Sequence, residues 1–329
     1  MTEESEALVR SVLVVANPTA GTTSDRLTAD VLALCAARAA EVRIHRTTGP
    51  GDAAAAVTAA RWGTDGHAAP DMVVAVGGDG TVHEVVDGLT APGPAARPAL
   101  AIVPAGTGNS GYKMLWSERP WQEALSAVLD GPGHGTRLCG LDLAHLAETG
   151  AKVFLGSCSG VIADALRVAR SVPLSGRDRY TRAFADAADA FTPYPGRVTV
   201  DGALLYEGPT VLANVGGGRF RGGRYQVLPH SKLDDGLLDV CVIGSPVSPR
   251  EVPELTRHAA HLGLPGVHYG RGRRIVVERL DGAPLCFEHD GNLQPPGLAR
   301  LTFDVLPGAL PVWAAGTAVL ADASAREPA

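Results

Sequence analysis

This 329-residue sequence has no basic excess, no paired-cysteine spacing and no apolar run long enough to cross a bilayer. Its formal net charge of −6 lacks the basic footprint that a nucleic-acid binder needs, so no nucleic-acid partner is expected. Arginines gather at Arg219 to Arg224 and at Arg271 to Arg274, and both clusters read first as solvated charge. The five cysteines, 35, 139, 158, 241 and 286, stand singly, and four lie in apolar stretches. Reduced, buried thiols of a cytoplasmic protein are the expectation. Met1 to Arg10 is polar and acidic without a signal core, and nothing approaches the roughly 20 apolar residues of a membrane span. A soluble protein is expected. The chain also lacks an internal repeat, the dinucleotide GxGxxG fingerprint and the Walker phosphate loop.

Glycine, by contrast, is abundant at 40 residues, which implies many tight turns and close backbone approaches. Val12 to Ala16, Val42 to Arg46, Met72 to Val76 and Leu100 to Val103 are short runs that read as strands, the apolar ones as buried parallel strands. Helices are expected from the Ser24 cap, from an Asp52 cap to about Trp62, over Thr81 to Leu89 and over Trp121 to Leu129. Alternating strands and helices imply a parallel sheet with right-handed crossovers. Gly131-Pro132-Gly133 breaks the chain, and the pattern then changes. Strands are expected at Cys139 to Leu146, Lys152 to Ser157, Arg197 to Val200, Thr210 to Val215, Leu237 to Ile243, Arg274 to Glu278 and Leu285 to Glu288. Helices interrupt them at about Val161 to Ser171, Tyr180 to Phe191 and Ser248 to His261, and the tail from Asp322 reads as disordered. The expected fold is α/β: an N-terminal parallel-sheet nucleotide-binding domain, residues 1–133, and a mainly antiparallel β-sandwich domain, residues 134–307.

Three glycine-bearing loops follow strands of the first sheet, at the carboxyl ends where such sheets bind ligands. They are Asn17-Pro18-Thr19-Ala20-Gly21, Gly77-Gly78-Asp79-Gly80-Thr81 and Pro104-Ala105-Gly106-Thr107-Gly108-Asn109. Glycines let backbone N–H groups close on phosphate oxygens, and a helix N-terminus adds partial positive charge. In the middle loop Thr81 can bond phosphate or cap the following helix. Asp79 can hold Mg²⁺ or take a proton from an attacking hydroxyl.

Together with Glu84, Leu233-Asp234-Asp235-Gly236-Leu237-Leu238-Asp239 and Asp290-Gly291, these loops resemble the catalytic region of diacylglycerol and sphingosine kinases, in order and spacing, from Val12 to Pro311. The resemblance implies an ATP- and Mg²⁺-dependent kinase for a hydroxyl on a lipid or hydrophobic small molecule. It places the nucleotide in an interdomain cleft and the acceptor in an apolar pocket of the β domain, with a final strand within 308–320 returning to the first domain. Asp79 matches the family's catalytic aspartate. Asn17, Thr19, Gly78, Gly80, Thr81 and Thr107 match nucleotide-contacting positions, and the same motifs add Gly21, Gly77, Glu84, Gly106, Gly108, Asn109 and Asn292. Lys232, Asp235 and Leu237 match a structural Mg²⁺ site built of oxygens, which suit that hard cation; a hairpin turn is the alternative. Transient membrane-surface contact and a homodimer complete the expected partners.

Two positions depart from the family. Ser110 stands where Asp is usual after the third loop, and Asn292 stands where the family has the Glu of Asp-Gly-Glu. An amide cannot take a proton near neutral pH, though it still hydrogen-bonds. Glu288, two residues before Asp290, would share a strand face with it and is the candidate substitute carboxylate. An exposed strand glutamate is the alternative. A nucleotide-binding protein without turnover, and a kinase of a specialised metabolite, are the competing functions. NAD kinase shares the GGDG loop but fits the Asn17 and Asp234 motifs poorly.

Overall fold

The computed structural model describes residues 9–63, 66–93, 96–132 and 134–316. Two compact units emerge, one running up to Leu141 and resuming at Gly308, the other spanning Asp142–Pro307. The divide falls inside a strand rather than at the Gly131-Pro132 break, because the chain is extended continuously from Thr136 to Leu146.

The first unit runs β1 (Ser11–Ala16), α1 (Asp25–Ala36), β2 (Glu41–Arg46), α2 (Asp52–Arg61), β3 (Met72–Gly77), α3 (Asp79–Leu89), β4 (Ala99–Pro104), α4 (Ser110–Trp116) and α5 (Trp121–Leu129). Its strands pair in parallel in the order β2-β1-β3-β4. Every residue of β3 is buried, as befits a central strand covered on both faces. Ser24 caps α1 by accepting the N–H of Leu27. Asp52 does not cap α2: Gly51, in the left-handed region at φ 81°, holds the cap position, and the Asp52 carboxylate accepts from Thr48 instead. Gly88 in α3 has a packing reason, since a Cβ there would stand 2.7 Å from Val57 Cβ and Ala54 O of α2. A helical glycine costs about 1 kcal/mol against alanine, and here it lets two helices meet. Arg61 is buried and donates to the carbonyls of Gly88, Ala91 and Ala96, tying the end of α2 to the end of α3 and to the segment that leads into β4.

The second unit takes up β5 (Thr136–Leu146) at Asp142 and continues with β6 (Ala151–Val153), β7 (Ser157–Gly160), α6 (Val161–Ala169), α7 (Gly176–Ala190), β8 (Tyr194–Val200), β9 (Ala203–Gly216), β10 (Phe220–Arg221), β11 (Tyr225–Gln226) and β12 (Leu238–Gly244). A 3-10 turn (Pro249–Glu251), α8 (Val252–Arg257), β13 (Val267–Gly272), β14 (Arg274–Arg279), β15 (Phe287–His289), β16 (Asn292–Leu293) and the part of β17 (Arg300–Ala315) up to Pro307 complete it. The ladders β5–β6, β7–β9, β8–β9, β8–β14, β9–β12, β12–β13, β14–β17, β7–β15 and β15–β16 are antiparallel. β9 belongs to two ladders: its first half pairs β8, and from Thr210 onward it pairs β7 and β12. Strand alternation then feeds two cores. Ala213 and Val215 join Ile275, Phe287 and Phe303, whereas Leu212 joins Val161, Leu228, Ile243 and Val252. The sandwich expected from sequence is thus present.

Several elements differ from expectation. Lys152 to Ser157 is two strands rather than one, and the helix expected over Ser248 to His261 ends at Arg257. α4 and β13 were not foreseen. The final strand starts early, at Arg300, and Val312 pairs in parallel with Leu100 of β4. Residues 317–320 of the expected strand, and the tail from Asp322, lie outside the described residues. Among the described residues no helix is long and apolar enough to cross a membrane.

Candidate functional site

In the first unit the three glycine loops converge. Asn17 Nδ2 donates to Thr81 Oγ1 at 3.1 Å, and Asn17 Oδ1 accepts both the N–H and the hydroxyl of Thr19. The backbone N–H of Thr22 reaches Ala105 O at 2.9 Å, and Gly21 lies against Thr107. Gly78 and Gly106 touch backbone to backbone: a Cβ on Gly78 would stand 3.1 Å from Gly106 Cα, and one on Gly106 would overlap Gly78 Cα. Asn109, in the left-handed region at φ 55°, closes the third loop by bonding Gly106 through both amide atoms. The result is a saddle of bare backbone at the start of α3. Its donor set of peptide N–H groups, hydroxyls and a helix N-terminus fits a polyphosphate.

Asp79 is more constrained than the sequence suggested. Its Oδ2 accepts the N–H of Ser110 and its Oδ1 the N–H of Gly111, each at 3.0 Å. It therefore ties the second loop to the first turn of α4, using one lone pair on each oxygen. Ser110 is buried at this joint. Thr81 does not cap α3; Gly78 occupies that position. Glu84 leaves the phosphate loops, its Oε2 accepting the N–H of Ala53 at the start of α2, 3.3 Å away. That contact makes it a helix-terminus acceptor.

In the second unit the Asp290 turn is built on burial. Asp290 has φ 49°, so it leaves the strand and does not share a face with Glu288. Its carboxylate accepts the N–H groups of Phe154, Leu155 and Gly156 at 3.0, 2.6 and 3.2 Å. Glu288 is no exposed strand glutamate either. It is only 2 % exposed, and Oε2 accepts the Gly291 N–H at 2.8 Å. Burial pushes its carboxyl above the usual range, opposed by the charge of Arg221. Pairing places Glu288, Cys158, Asn214, Cys241 and Tyr269 in one row across neighbouring strands. The Nε of Arg221 donates to Asn214 Oδ1 at 2.8 Å, inside this layer. Arg221 is buried, which corrects the reading of its cluster as solvated charge. Asn292 is exposed at the start of β16 and lines a groove of about 240 Å³ with Arg170, Arg179 and Tyr180.

The Lys232 to Leu237 turn is held by protein groups. Leu237 N–H donates to Asp235 Oδ1, Gly236 N–H donates to Asp142 Oδ2, and Arg271 Nη2 pairs with Asp235 Oδ2. The same guanidinium lies 3.2 Å from the buried Asp239, which also accepts the Tyr269 hydroxyl at 2.6 Å. Burial raises the Asp239 carboxyl against these partners. The residues present do not fit a bound magnesium in this arrangement, because a guanidinium already neutralises Asp235. Arg271, like Arg221, is thus not solvated surface charge. Arg221, Asn214 and Arg271 escaped the sequence reading. Their sole signal was membership of an arginine cluster or a strand, and pairing distant in sequence decides which groups they meet.

Comparison with known proteins agrees with this geometry. The profile of the diacylglycerol kinase catalytic domain matches residues 11–139, and that of the YegS C-terminal NAD kinase beta sandwich-like domain matches residues 157–314. The chain is 30% identical over 232 residues to "Probable lipid kinase YegS-like" of Chromohalobacter salexigens, covering 66% of this chain and 71% of that one. It is 26% identical over 234 residues to a diacylglycerol kinase of Staphylococcus saprophyticus, covering 69% and 72%. In structure it resembles a diacylglycerol kinase from Bacillus anthracis with a TM-score of 0.69 at 23% identity, over 94% of this chain and 98% of that one.

Proposed function

The chain belongs to the diacylglycerol kinase-like family of lipid kinases, and from that premise we propose that it transfers a phosphoryl group from ATP, with Mg²⁺, to a hydroxyl of a lipid or other hydrophobic acceptor. The observation that carries this reading is the backbone saddle of Gly78 and Gly106, joined to Asn17 and Thr81. ATP supplies the phosphoryl group, and its Mg²⁺ spreads the charge that builds up on transfer. The N–H groups of the Gly77 to Gly80 and Gly106 to Asn109 loops hold phosphate oxygens, with Thr19, Thr81 and Thr107 as hydroxyl donors. Asp79, fixed by Ser110 and Gly111, keeps a lone pair on each oxygen to orient the acceptor hydroxyl and take its proton. Positioning and charge dominate phosphoryl transfer, so Asn292 in place of a glutamate is compatible with turnover.

Calorimetry tests the nucleotide half. ATP with Mg²⁺ should bind the wild type, and Gly78→Val should weaken binding at least tenfold, about 1.4 kcal/mol. Unchanged affinity in the folded variant contradicts the placement of the phosphates. One observation favours a second reading, nucleotide binding without transfer. Asn292 replaces a titratable group, and the nearby Glu288 is buried on the Gly291 N–H.

A further inference from the structure

The polar layer over β7, β9 and β15 holds a cation with no counter-ion. Arg221 is 7% exposed and Asn214 is fully buried. The guanidinium Nε donates to Asn214 Oδ1 at 2.8 Å, which fixes the two groups side by side. Two further donors, Arg221 Nη2 and Asn214 Nδ2, are buried and meet no acceptor among the described residues. A buried donor without an acceptor is uncommon in a folded chain, and a buried charge without a partner is costlier still. The neighbours do not supply the missing charge. Glu288 feels the charge of Arg221, but burial favours its neutral form, and its Oε2 is taken by the Gly291 N–H. Cys158 and Cys241 stand opposite Asn214 on its two flanking strands, and burial pushes both thiols up, Cys241 to about 12. Room around the guanidinium comes from glycine. A Cβ on Gly156 would overlap Arg221 Nη2, and one on Gly216 would stand 2.5 Å from Gly156 Cα. Gly156 also exchanges bonds with Asp290, its carbonyl accepting the Asp290 N–H and its own N–H donating to the carboxylate. The open donors therefore adjoin the Asp290 turn.

We propose that Arg221 and Asn214 form a buried subsite for a carboxylate inside the second unit. A carboxylate brings the single negative charge that Arg221 lacks, and its two oxygens accept from Arg221 Nη2 and Asn214 Nδ2. A phosphate fits less well, because it brings more charge and a third oxygen that neither open donor answers. The carboxylate comes from the acceptor or from free solution. The inference goes beyond the kinase reading, and only the first source rests on it. In that case the acceptor is an acid as well as an alcohol, as a hydroxy fatty acid is.

Sodium formate, the smallest carboxylate, is the probe, with ionic strength held by a bulky sulfonate buffer. The wild-type melting temperature should rise saturably with formate, by roughly 5 °C at about a hundredfold excess over the dissociation constant. Chloride should act about tenfold more weakly, since it offers one centre to two donors. Asn214→Asp supplies the missing charge from within the chain. It should therefore melt above the wild type without formate and lose about tenfold or more of the formate affinity. Arg221→Met should not respond to formate at all. A wild type with no saturable response overturns the proposal. So does an equal response in Asn214→Asp, an Asn214→Asp that melts below the wild type, or chloride as effective as formate. Competition in calorimetry then separates the sources. Displacement of formate by ricinoleate below its aggregation concentration, and not by its methyl ester, gives the carboxylate to the acceptor; displacement by neither gives it to a free acid. Equal displacement by acid and ester overturns the recognition of a carboxylate. If ricinoleate and every other alcohol stay unphosphorylated, the kinase reading falls while the formate response still judges the subsite.

Discussion

The saddle of the first unit and the Asp290 turn of the second both surround glycines, yet they are built oppositely. In the saddle, Gly78 and Gly106 bring bare backbone together, and side chains such as Asn17 and Asp79 tie loop to loop. In the turn, buried side chains do the building: Asp290 gathers three peptide N–H groups and Glu288 a fourth. The first arrangement leaves N–H groups for a ligand, whereas the second consumes them. The difference teaches that a carboxylate inside a family motif can be structural where its position alone suggests chemistry.

The sharpest way to break this comparison is Asp290→Ala. It strips acceptors from three buried N–H groups, at about 1–3 kcal/mol for each left unanswered, so a loss of about 4 kcal/mol in denaturant unfolding is expected. A loss below about 1 kcal/mol would mean that the turn does not depend on its carboxylate.

Arg271 gives a smaller effect. Arg271→Met leaves Asp239 buried without its cation and should cost about 2 kcal/mol, part of the range for breaking a buried pair because the arginine is partly exposed. Removing divalent cations with EDTA should leave the wild-type melting temperature unmoved. A clear drop with EDTA would show a metal at Asp235 after all, with Arg271 merely beside it.

Glu288 should give the smallest effect and an opposite dependence on pH from an ordinary ion-paired carboxylate. Its carboxyl is raised above 4.5, so the folded chain holds a proton that the unfolded chain releases. The stability it contributes is complete below that ordinary value and is lost as pH rises through the raised one. Glu288→Gln keeps a neutral group, so unfolding followed from about pH 4 upward should lose that part of its downward slope. A slope unchanged by the substitution would mean that Glu288 is ionised in the folded protein.

The parallel sheet was legible because β1, β3 and β4 are short apolar runs, β3 ending at Gly77, β4 at Pro104 and β1 two residues before Pro18, a pattern set by local sequence. α4 was not legible: Ser110–Trp116 is buried along nearly its whole length and so has no polar face to show helical period. β13 hid because its residues, Val-His-Tyr-Gly-Arg-Gly, alternate poorly and contain two glycines. The burial of Glu288 and Arg221 depends on β7, β9 and β15 meeting from distant parts of the chain, and no local pattern encodes that. Asp79 was conspicuous as a carboxylate in a glycine loop. Its two bonds to α4 were not, because that helix was itself unseen.

The claim on which the rest depends is that Asp79 and the glycine saddle move phosphate to a lipid hydroxyl. Labelled ATP and Mg²⁺, incubated with a panel of hydroxylated lipids and metabolites and read by mass shift and label on the acceptor, tests it most directly. The account predicts transfer to a lipid-like alcohol by the wild type, and a loss of roughly 10²-fold or more in kcat for Asp79→Asn with an unchanged melting curve. No labelled acceptor from the wild type, or full rate in Asp79→Asn, would contradict it.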